Sequence, residues 1–274
     1  MKKSSCLIYL LFICSLFCFN SCGMDVVYYL SAPVTAYNVH AITSANYSDT
    51  TSNYELSYFS FKTSELANKD FTEQDSNFRF DGTAIYYKIY NNYSTMNSDI
   101  SSISSKISDT NESSAATYIV ESLKYQQLKA SNTNDVPLIK IDNVSSDRKV
   151  YIRLTNYHEN ENSLFSARIL VGGDCENGVA SDSTINLGTP RRASADALNF
   201  DFGRKYTSGK YNGSYVYPDK DDVDVKYSST ASAEGVWYVN MYAVGIGTDE
   251  SYTTYYTNAL HLGAVAISQN TEDN

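Results

Sequence analysis

The sequence contains little proline, glycine or positive charge, and each shortage excludes a class of protein. With 4 Pro and 13 Gly in 274 residues, it is neither collagen-like nor a low-complexity disordered chain. Its 21 Lys and Arg are outnumbered by 31 Asp and Glu, and a net charge of −10 repels the phosphates of nucleic acids. The 25 Tyr and 11 Phe supply apolar area for a core, so we predict a globular protein. The negative net charge predicts that it has no nucleic-acid partner.

The motifs of common catalytic and cofactor sites are missing. His40, His158 and His261 lie far apart, so no two histidines have the spacing of a zinc site. The sequence has no G-x-S-x-G elbow, no Walker A motif and no G-x-G-x-x-G. We therefore predict no cofactor and no local catalytic motif. His40 and His261 are expected to be partly buried strand residues bonded to backbone carbonyls.

One class of enzyme does not depend on any of these motifs. A glycoside hydrolase needs two carboxylates about 5 to 10 Å apart, and separate strands can supply them. The sequence does not single out two such acids. A cell-envelope glycan hydrolase therefore stands as the alternative to a binding protein without catalysis.

The N-terminal segment has the pattern of an export signal. Lys2 and Lys3 precede an apolar run from Cys6 to Phe19, which is too short to span a bilayer as a permanent helix. The run ends in F-N-S-C-G-M, so Cys22 follows small or polar residues where a cleavage site is expected.

This segment resembles the signal of bacterial lipoproteins, and Phe19 in place of the usual Leu is similar to the form found in spirochaete lipoproteins. The resemblance implies that residues 1–21 are removed and that Cys22 carries acyl chains such as palmitate. The protein would then be anchored to a bacterial membrane, at the outer membrane or cell surface rather than the inner membrane. The alternative is an ordinary cleaved signal that releases a soluble protein.

Cys175 is the one cysteine that lies outside the signal and the acylation position. No disulfide within the chain is then expected, so the exported domain depends on its core for stability. Asp174 and Glu176 flank the thiol and disfavour the thiolate, so we do not expect a catalytic cysteine.

Most of the remaining sequence is typical of strands. Short runs rich in Tyr, Val, Ile, Phe and Thr alternate with a period of two and are separated by Asn, Asp, Ser and Gly clusters, which predicts an antiparallel sandwich or barrel. Turns are predicted at Asp81–Gly82, Gly172–Gly173 and Asn212–Gly213. The predicted strands are 26–30, 36–42, 54–62, 84–90, 138–141, 149–155, 166–170, 198–202, 223–227, 237–244 and 260–267.

A segment within residues 97–129 breaks this pattern. Its first apolar residues, Ile100, Ile103 and Ile107, have helical spacing, and a second group follows at 118–127. Ser98 with Asp99 can cap a first helix, and residues 112–114 can begin a second. We predict two amphipathic helices that cover one side or edge of the sandwich. A disordered serine-rich loop is the alternative.

Two strands carry a further resemblance. The runs Phe80–Tyr90 and Gly235–Val244 resemble the third and sixth strands of a fibronectin type III or related immunoglobulin-like β-sandwich. The resemblance implies a mainly β fold of that type with a helical insertion. The residues expected on one face are Thr83, Ile85, Tyr87 and Ile89 in the first run and Trp237, Val239, Met241 and Ala243 in the second.

The two matched strands are far apart in the chain, more than a minimal domain of this fold allows. We prefer a single elaborated domain over residues 22–274, with its first and last strands at opposite ends of the sequence. A second β domain that begins near residue 158 is the alternative.

An acidic segment at 218–224 offers the best local candidate for a metal site. Carboxylates suit calcium, but the segment lacks the Gly and Glu of an EF-hand loop, so a solvated hairpin loop is the favoured interpretation. Arg191–Arg192 is expected in an exposed loop. The candidate metal ligands are Asp219, Asp221, Asp222 and Asp224.

The abundant tyrosines suggest a binding surface. Outward-facing strand positions would place amphipathic rings on the surface, where they could contact a protein partner or stack on sugars. We therefore expect a binding or adhesion module with a protein or glycan ligand. The candidate residues are Tyr86, Tyr90, Tyr238 and Tyr242.

Overall fold

The computed structural model describes residues 29–35, 57–74, 77–108, 113–142, 146–154, 166–175, 178–193, 202 and 217–268. The predicted signal, Cys22, His40, His158 and the strand predicted at 36–42 lie outside these residues. The strand predicted at 26–30 is described only at Tyr29 and Leu30, which lie in no strand, and that at 198–202 only at Phe202.

The described residues form a mainly β structure with a helical insertion. The strands are β1 (Phe59–Lys62), β2 (Phe78–Tyr90), β3 (Gln126–Gln127), β4 (Lys129–Ala130), β5 (Ile139–Lys140), β6 (Lys149–Arg153), β7 (Arg168–Val171), β8 (Ile185–Gly188), β9 (Pro190–Arg191), β10 (Val225–Lys226), β11 (Val236–Asp249), β12 (Thr254–Tyr256) and β13 (Leu260–Ser268). The helices are α1 (Glu65–Gln74), α2 (Tyr93–Ile107), α3 (Ser114–Thr117) and a π-helix (Tyr118–Ser122).

Two antiparallel sheets pack in a sandwich-like arrangement. The smaller sheet has the order β1-β6-β7-β8. In the larger sheet, β2 and β11 pair from Tyr90↔Tyr238 to Phe78↔Asp249, and β13 and β12 pair with β11 on its other edge. Short β3 and β5 pair with β2, and β10 adds a parallel pair to the same strand. β4 and β9 form a separate two-stranded sheet.

Each face of the larger sheet builds a separate core, because successive strand residues point to opposite sides. Ile85, Tyr87 and Ile89 pack against the smaller sheet in the first core. Val239, Met241 and Ala243 of β11 join them, and Trp237 packs against the same cluster. The predicted division of these strands into two faces is therefore confirmed.

The predicted helical insertion is also confirmed, although its first helix begins earlier than expected. α2 begins at Tyr93, where the Asn92 side chain accepts a hydrogen bond from the Thr95 amide at 2.8 Å. Ser98 and Asp99 lie inside the helix, so the predicted cap is wrong. α2, α3 and the π-helix pack on the second face of the larger sheet, with Ile103 fully buried there.

One predicted turn lies within a strand of the larger sheet. Asp81–Gly82 lies within β2, where the pairing with β11 shifts register and Gly82 has φ of 139°, so a β-bulge replaces the turn. The turn predicted at Asn212–Gly213 lies outside the described residues. The turn at Gly172–Gly173 is confirmed, since both residues have positive φ after β7.

Local pattern predicted the long strands better than the short elements. β1, β2, β5, β6, β7, β10, β11 and β13 all overlap predicted strands. α1, β3, β4, β8, β9 and β12 were not predicted, and β3 lies in the segment predicted to form the second helix. Among these elements, β8 has the largest effect on the surface, because it forms one wall of a cleft between the sheets.

Candidate functional site

A cleft of about 190 Å³ opens between the two sheets. The segment 135–142, which includes β5, forms one wall, and β8 with the neighbouring end of β7 forms the other. The residues that line it are Asp135, Leu138, Ile139, Lys140, Ile141, Asp142, Arg148, Val171, Ile185 and Leu187.

The floor of the cleft is the edge of the first core. Leu138, Ile139 and Val171 are buried members of that core, and Leu187 packs against it. Ile185 stands at the mouth with 45% of its surface exposed. The first core is therefore continuous with an apolar surface that a ligand can reach.

β5 reaches this position because Gly82 has no side chain. A Cβ at Gly82 would stand 2.1 Å from the Ile139 carbonyl oxygen, well inside contact distance. Gly82 pairs with Lys140, and the Ile141 amide donates to the Asp81 carbonyl at 3.1 Å. The bulge of β2 thus fixes the wall of the cleft.

Arg148 fixes one end of the cleft. Its guanidinium donates to both carboxylate oxygens of Glu65, and its Nη2 also donates to the Lys140 carbonyl. Thr63 completes the group, since its hydroxyl donates to Glu65 at 2.8 Å and accepts from the Arg148 amide at 2.9 Å. These bonds join the smaller sheet to β5 and hold Arg148 in place.

The charged residues on the rim are paired. Lys140 Nζ lies 2.6 Å from Asp135, and Arg148 lies 3.8 Å from Asp142. The hydrogen bond from Lys140 lowers the pKa of Asp135, with a smaller contribution from Thr133. A general acid of a glycosidase needs the opposite shift, so Asp135 is suited to ionic contact rather than to proton donation.

The four tyrosines predicted to form a binding surface lie elsewhere, and the prediction that they are exposed is wrong. Tyr86 is 3% exposed, and Tyr90, Tyr238 and Tyr242 are 1% exposed or less. They face the helices in the second core, so the face that was expected to meet solvent is covered. Burial raises the pKa of Tyr86 to about 12.

A buried chain of hydrogen bonds crosses this second core. The Tyr90 hydroxyl donates to Asp99 at 2.9 Å and shares a hydrogen bond of the same length with the Tyr125 hydroxyl. Lys226 donates to both oxygens of Asp99 at 2.8 Å. The Asn240 amide donates to the Tyr125 hydroxyl at 2.9 Å. These contacts tie α2 to the larger sheet, which is a structural role.

His261 forms the last contact of this hydrogen-bond network. Its Nε2 lies 2.7 Å from the Asn240 amide oxygen, and its ring stacks on Tyr242 with centroids 4.7 Å apart. Its partner is therefore a side-chain amide and not the backbone carbonyl we expected. Burial lowers the pKa of His261 to about 4, so the imidazole is neutral near pH 7.

The acidic segment is divided between the core and the surface. Asp224 is fully buried, accepts from the Tyr87 hydroxyl at 2.6 Å and pairs with Arg192, which also donates to Asp222. Asp221 instead pairs with Lys220 at the exposed end of the loop.

This division corrects two predictions. The loop is not simply solvated, because it carries a buried charge, and Arg192 is 3% exposed rather than part of an exposed loop. Asp224 raises the pKa of Arg192 despite burial. In the described part of the chain, no three His, Cys, Asp or Glu side chains are grouped as a metal site requires, and Asp219 lies in the same loop without such a group.

Cys175 forms no disulfide with another described residue and is fully buried beside Tyr151 and Leu170. Its thiol points toward the carbonyls of Lys149 and Leu170, at 3.4 and 3.7 Å. It packs as a small apolar residue, as free cysteines commonly do.

The cleft could not be found from local motifs, because β8 lies more than 40 residues after the segment 135–142 that forms the opposite wall. One signal was present: L-I-K-I-D at 138–142 and I-N-L at 185–187 are aliphatic segments without aromatic residues in a tyrosine-rich chain.

Among the described ranges, no helix is long and apolar enough to cross a membrane. Comparisons with known proteins identify no relative, since no family model, curated protein or solved structure matches the chain.

Proposed function

We propose that this protein is a lipid-anchored bacterial lipoprotein of the cell envelope that binds a ligand and has no catalytic activity. The sequence around Cys22 supports the anchor, which would hold residues 22–274 at the outer membrane or cell surface. The two packed antiparallel sheets and the alternation in β2 and β11 support a fibronectin type III or immunoglobulin-like type of sandwich. Binding modules of this kind present a site on a rigid β scaffold.

The observation that carries the binding role is the cleft between the sheets. Its apolar floor is continuous with the core, and Ile185 brings an aliphatic side chain to the surface. Concave, mostly apolar sites with a few polar groups are the usual form of ligand sites. The buried tyrosines do not take part in this proposal, because they are not accessible.

The cleft supports binding better than hydrolysis. Asp135 and Asp142 are its two carboxylates, with 40% and 58% of their side chains exposed. The lowered pKa of Asp135 keeps it ionised, whereas a glycan hydrolase needs one carboxyl that stays protonated near neutral pH.

The anchor is tested by expressing the full chain in a bacterium that acylates lipoproteins. We expect the wild-type chain to enter the detergent phase of a Triton X-114 separation and to incorporate labelled palmitate. Cys22→Ser should lose both properties, while Cys18→Ser should keep them because Cys18 lies in the removed signal. A wild-type chain that is unlabelled and stays in the aqueous phase contradicts the anchor.

The binding role is tested with arrays of purified envelope proteins, matrix proteins and glycans. Ile185→Glu places a charge in the cleft at a half-exposed position, and Val179→Glu is a matched control, because Val179 is 49% exposed and does not line the cleft. We expect a ligand that the wild type and Val179→Glu retain and Ile185→Glu loses. Release of reducing ends from an arrayed glycan would contradict a protein without catalysis.

A further inference from the structure

The cleft is small for a whole ligand. Sites for drug-sized molecules and cofactors enclose about 300 to 1,000 Å³, whereas this cleft encloses about 190 Å³. That space suits one large apolar side chain. Protein interfaces commonly place one such anchor in a pocket on the partner.

The lining favours a polypeptide over a sugar. The six apolar residues of the lining are all aliphatic, and none of the described lining residues has an aromatic ring on which a sugar could stack. Ile141, Ile185 and Leu187, which are partly or largely exposed, instead offer apolar surface whose burial by a ligand is favourable. The cleft thus suits a leucine-like or phenylalanine-like side chain.

The backbone beside the cleft offers a place for an extended segment. β8 is the outer strand of the smaller sheet. Its far end is covered, since the Asn132 and Ser131 amides each donate at 3.0 Å, to the carbonyls of Leu187 and Thr189. Ile185 and Asn186 precede this covered part and are exposed. An exposed strand edge of this kind can pair with an extended peptide.

The charge of the rim indicates what should lie next to the anchor. The rim contains both signs of charge, since Lys140 pairs with Asp135, and Arg148 pairs with Glu65 and lies 3.8 Å from Asp142. These three carboxylates outnumber the two cations by one, and the chain as a whole has a net charge of −10. Charge complementarity speeds association and selects the partner. A basic residue beside the apolar anchor matches this rim.

We infer that the cleft binds a protein partner through one large apolar side chain, presented by an extended segment with basic residues beside the anchor and laid along the exposed end of β8. This inference rests on the proposed binding function and names the class of its ligand.

The test uses the full chain in detergent micelles and the fluorescein-labelled peptide Lys-Thr-Leu-Thr-Lys. Fluorescence anisotropy should show saturable binding that empty micelles do not produce. Replacing the peptide's Leu by Ala should weaken binding about tenfold, because most of the buried apolar area is lost. Replacing both Lys by Glu should weaken it several-fold, and this difference should shrink at high ionic strength.

The chain variants assign the site. Ile185→Glu should abolish binding of the Leu peptide, and Val179→Glu should bind like the wild type. A Leu peptide that binds both variants equally, or no better than the Ala peptide, overturns the inference. Self-association of the wild type that Ile185→Glu abolishes would also overturn it, because the occupant would then be a second copy of the chain.

The outcomes separate this inference from the proposed function. If a glycan on the arrays binds in an Ile185-dependent way and the peptides do not, the binding module stands and the peptide ligand is wrong. If neither the arrays nor the peptides show Ile185-dependent binding, both are wrong.

Discussion

Gly82 of β2 and Ile139 of β5 approach so closely that a Cβ on Gly82 would meet the Ile139 carbonyl oxygen at 2.1 Å. This contact places β5 against the larger sheet and so positions one wall of the cleft. Gly82 also has φ of 139°, a conformation that side chains disfavour. The wall of the cleft therefore depends on a glycine that the sequence pattern assigned to a turn.

Gly82→Ala should destabilise the fold by at least about 2 kcal/mol, from backbone strain together with the displaced carbonyl. Urea unfolding followed by circular dichroism measures the change. Arg79→Ala is the control on the same strand, since its exposed ion pair with Asp81 contributes at most about 1 kcal/mol. Equal stability of the two variants would show that β5 does not pack against Gly82.

The buried ion pair between Arg192 and Asp224 should be sensitive to loss of one partner. Asp224→Asn removes one of the carboxylates that pair with the buried Arg192 guanidinium. It should lower the free energy of unfolding by about 3 to 5 kcal/mol. Asp221→Asn, in the same loop, removes an exposed contact with Lys220 and should change stability by less than about 1 kcal/mol. Chemical denaturation distinguishes them, and a metal-binding loop would instead show stabilisation by added calcium in the wild type.

His261 should make stability depend on pH on the acidic side. Its pKa is about 4 in the folded state and near 6.5 when unfolded, so the unfolded chain binds the proton first as pH falls. The stability that depends on a neutral His261 is present above pH 6.5 and is lost as pH falls toward 4. The total loss in the free energy of unfolding is about 3 kcal/mol. His261→Gln should reduce this loss. The imidazole carbon signal of His261 is the one that disappears in His261→Gln. If that signal titrates near pH 6.5 in the folded protein, the ring is not buried.

The buried tyrosines should make stability depend on pH on the alkaline side. Burial raises the pKa of Tyr86 to about 12 and raises those of Tyr90, Tyr125 and Tyr242 as well. The unfolded chain loses these protons near pH 10, so the contribution is complete below pH 10 and falls as pH rises further. Absorbance near 295 nm should show that these tyrosines ionise only when the fold is lost. Reversible ionisation of all tyrosines near pH 10 in the folded protein would contradict this.

The local pattern was sufficient to predict which residues share a face, but not what covers each face. Tyr87 and Tyr90 alternate as expected in β2, and Ile100 and Ile103 lie on a helix. Whether Tyr90 meets water depends on α2 folding back over the sheet, a tertiary contact without a local signature. A strand that alternates between two faces has the same sequence pattern whether its outer face meets water or is covered by a helix.

Long-range pairs explain the remaining differences. Arg192 appeared exposed because its partner, Asp224, lies 32 positions away in a loop that looked solvated. The cleft has the same origin, since Ile139 and Ile185 come together only when the two sheets pack. Such contacts depend on topology, and single-sequence periodicity carries no information on it.

We propose that ligands bind at the cleft, whereas Tyr86, Tyr90, Tyr238 and Tyr242 are core residues. The most direct measurement compares ligand binding by two variants of the full chain, Ile185→Glu and Tyr242→Phe, with the ligand found on the arrays. Tyr242 is buried, so removing its hydroxyl should leave affinity unchanged, while Ile185→Glu should abolish binding. Loss of binding in Tyr242→Phe with normal stability, together with normal binding by Ile185→Glu, would contradict the account.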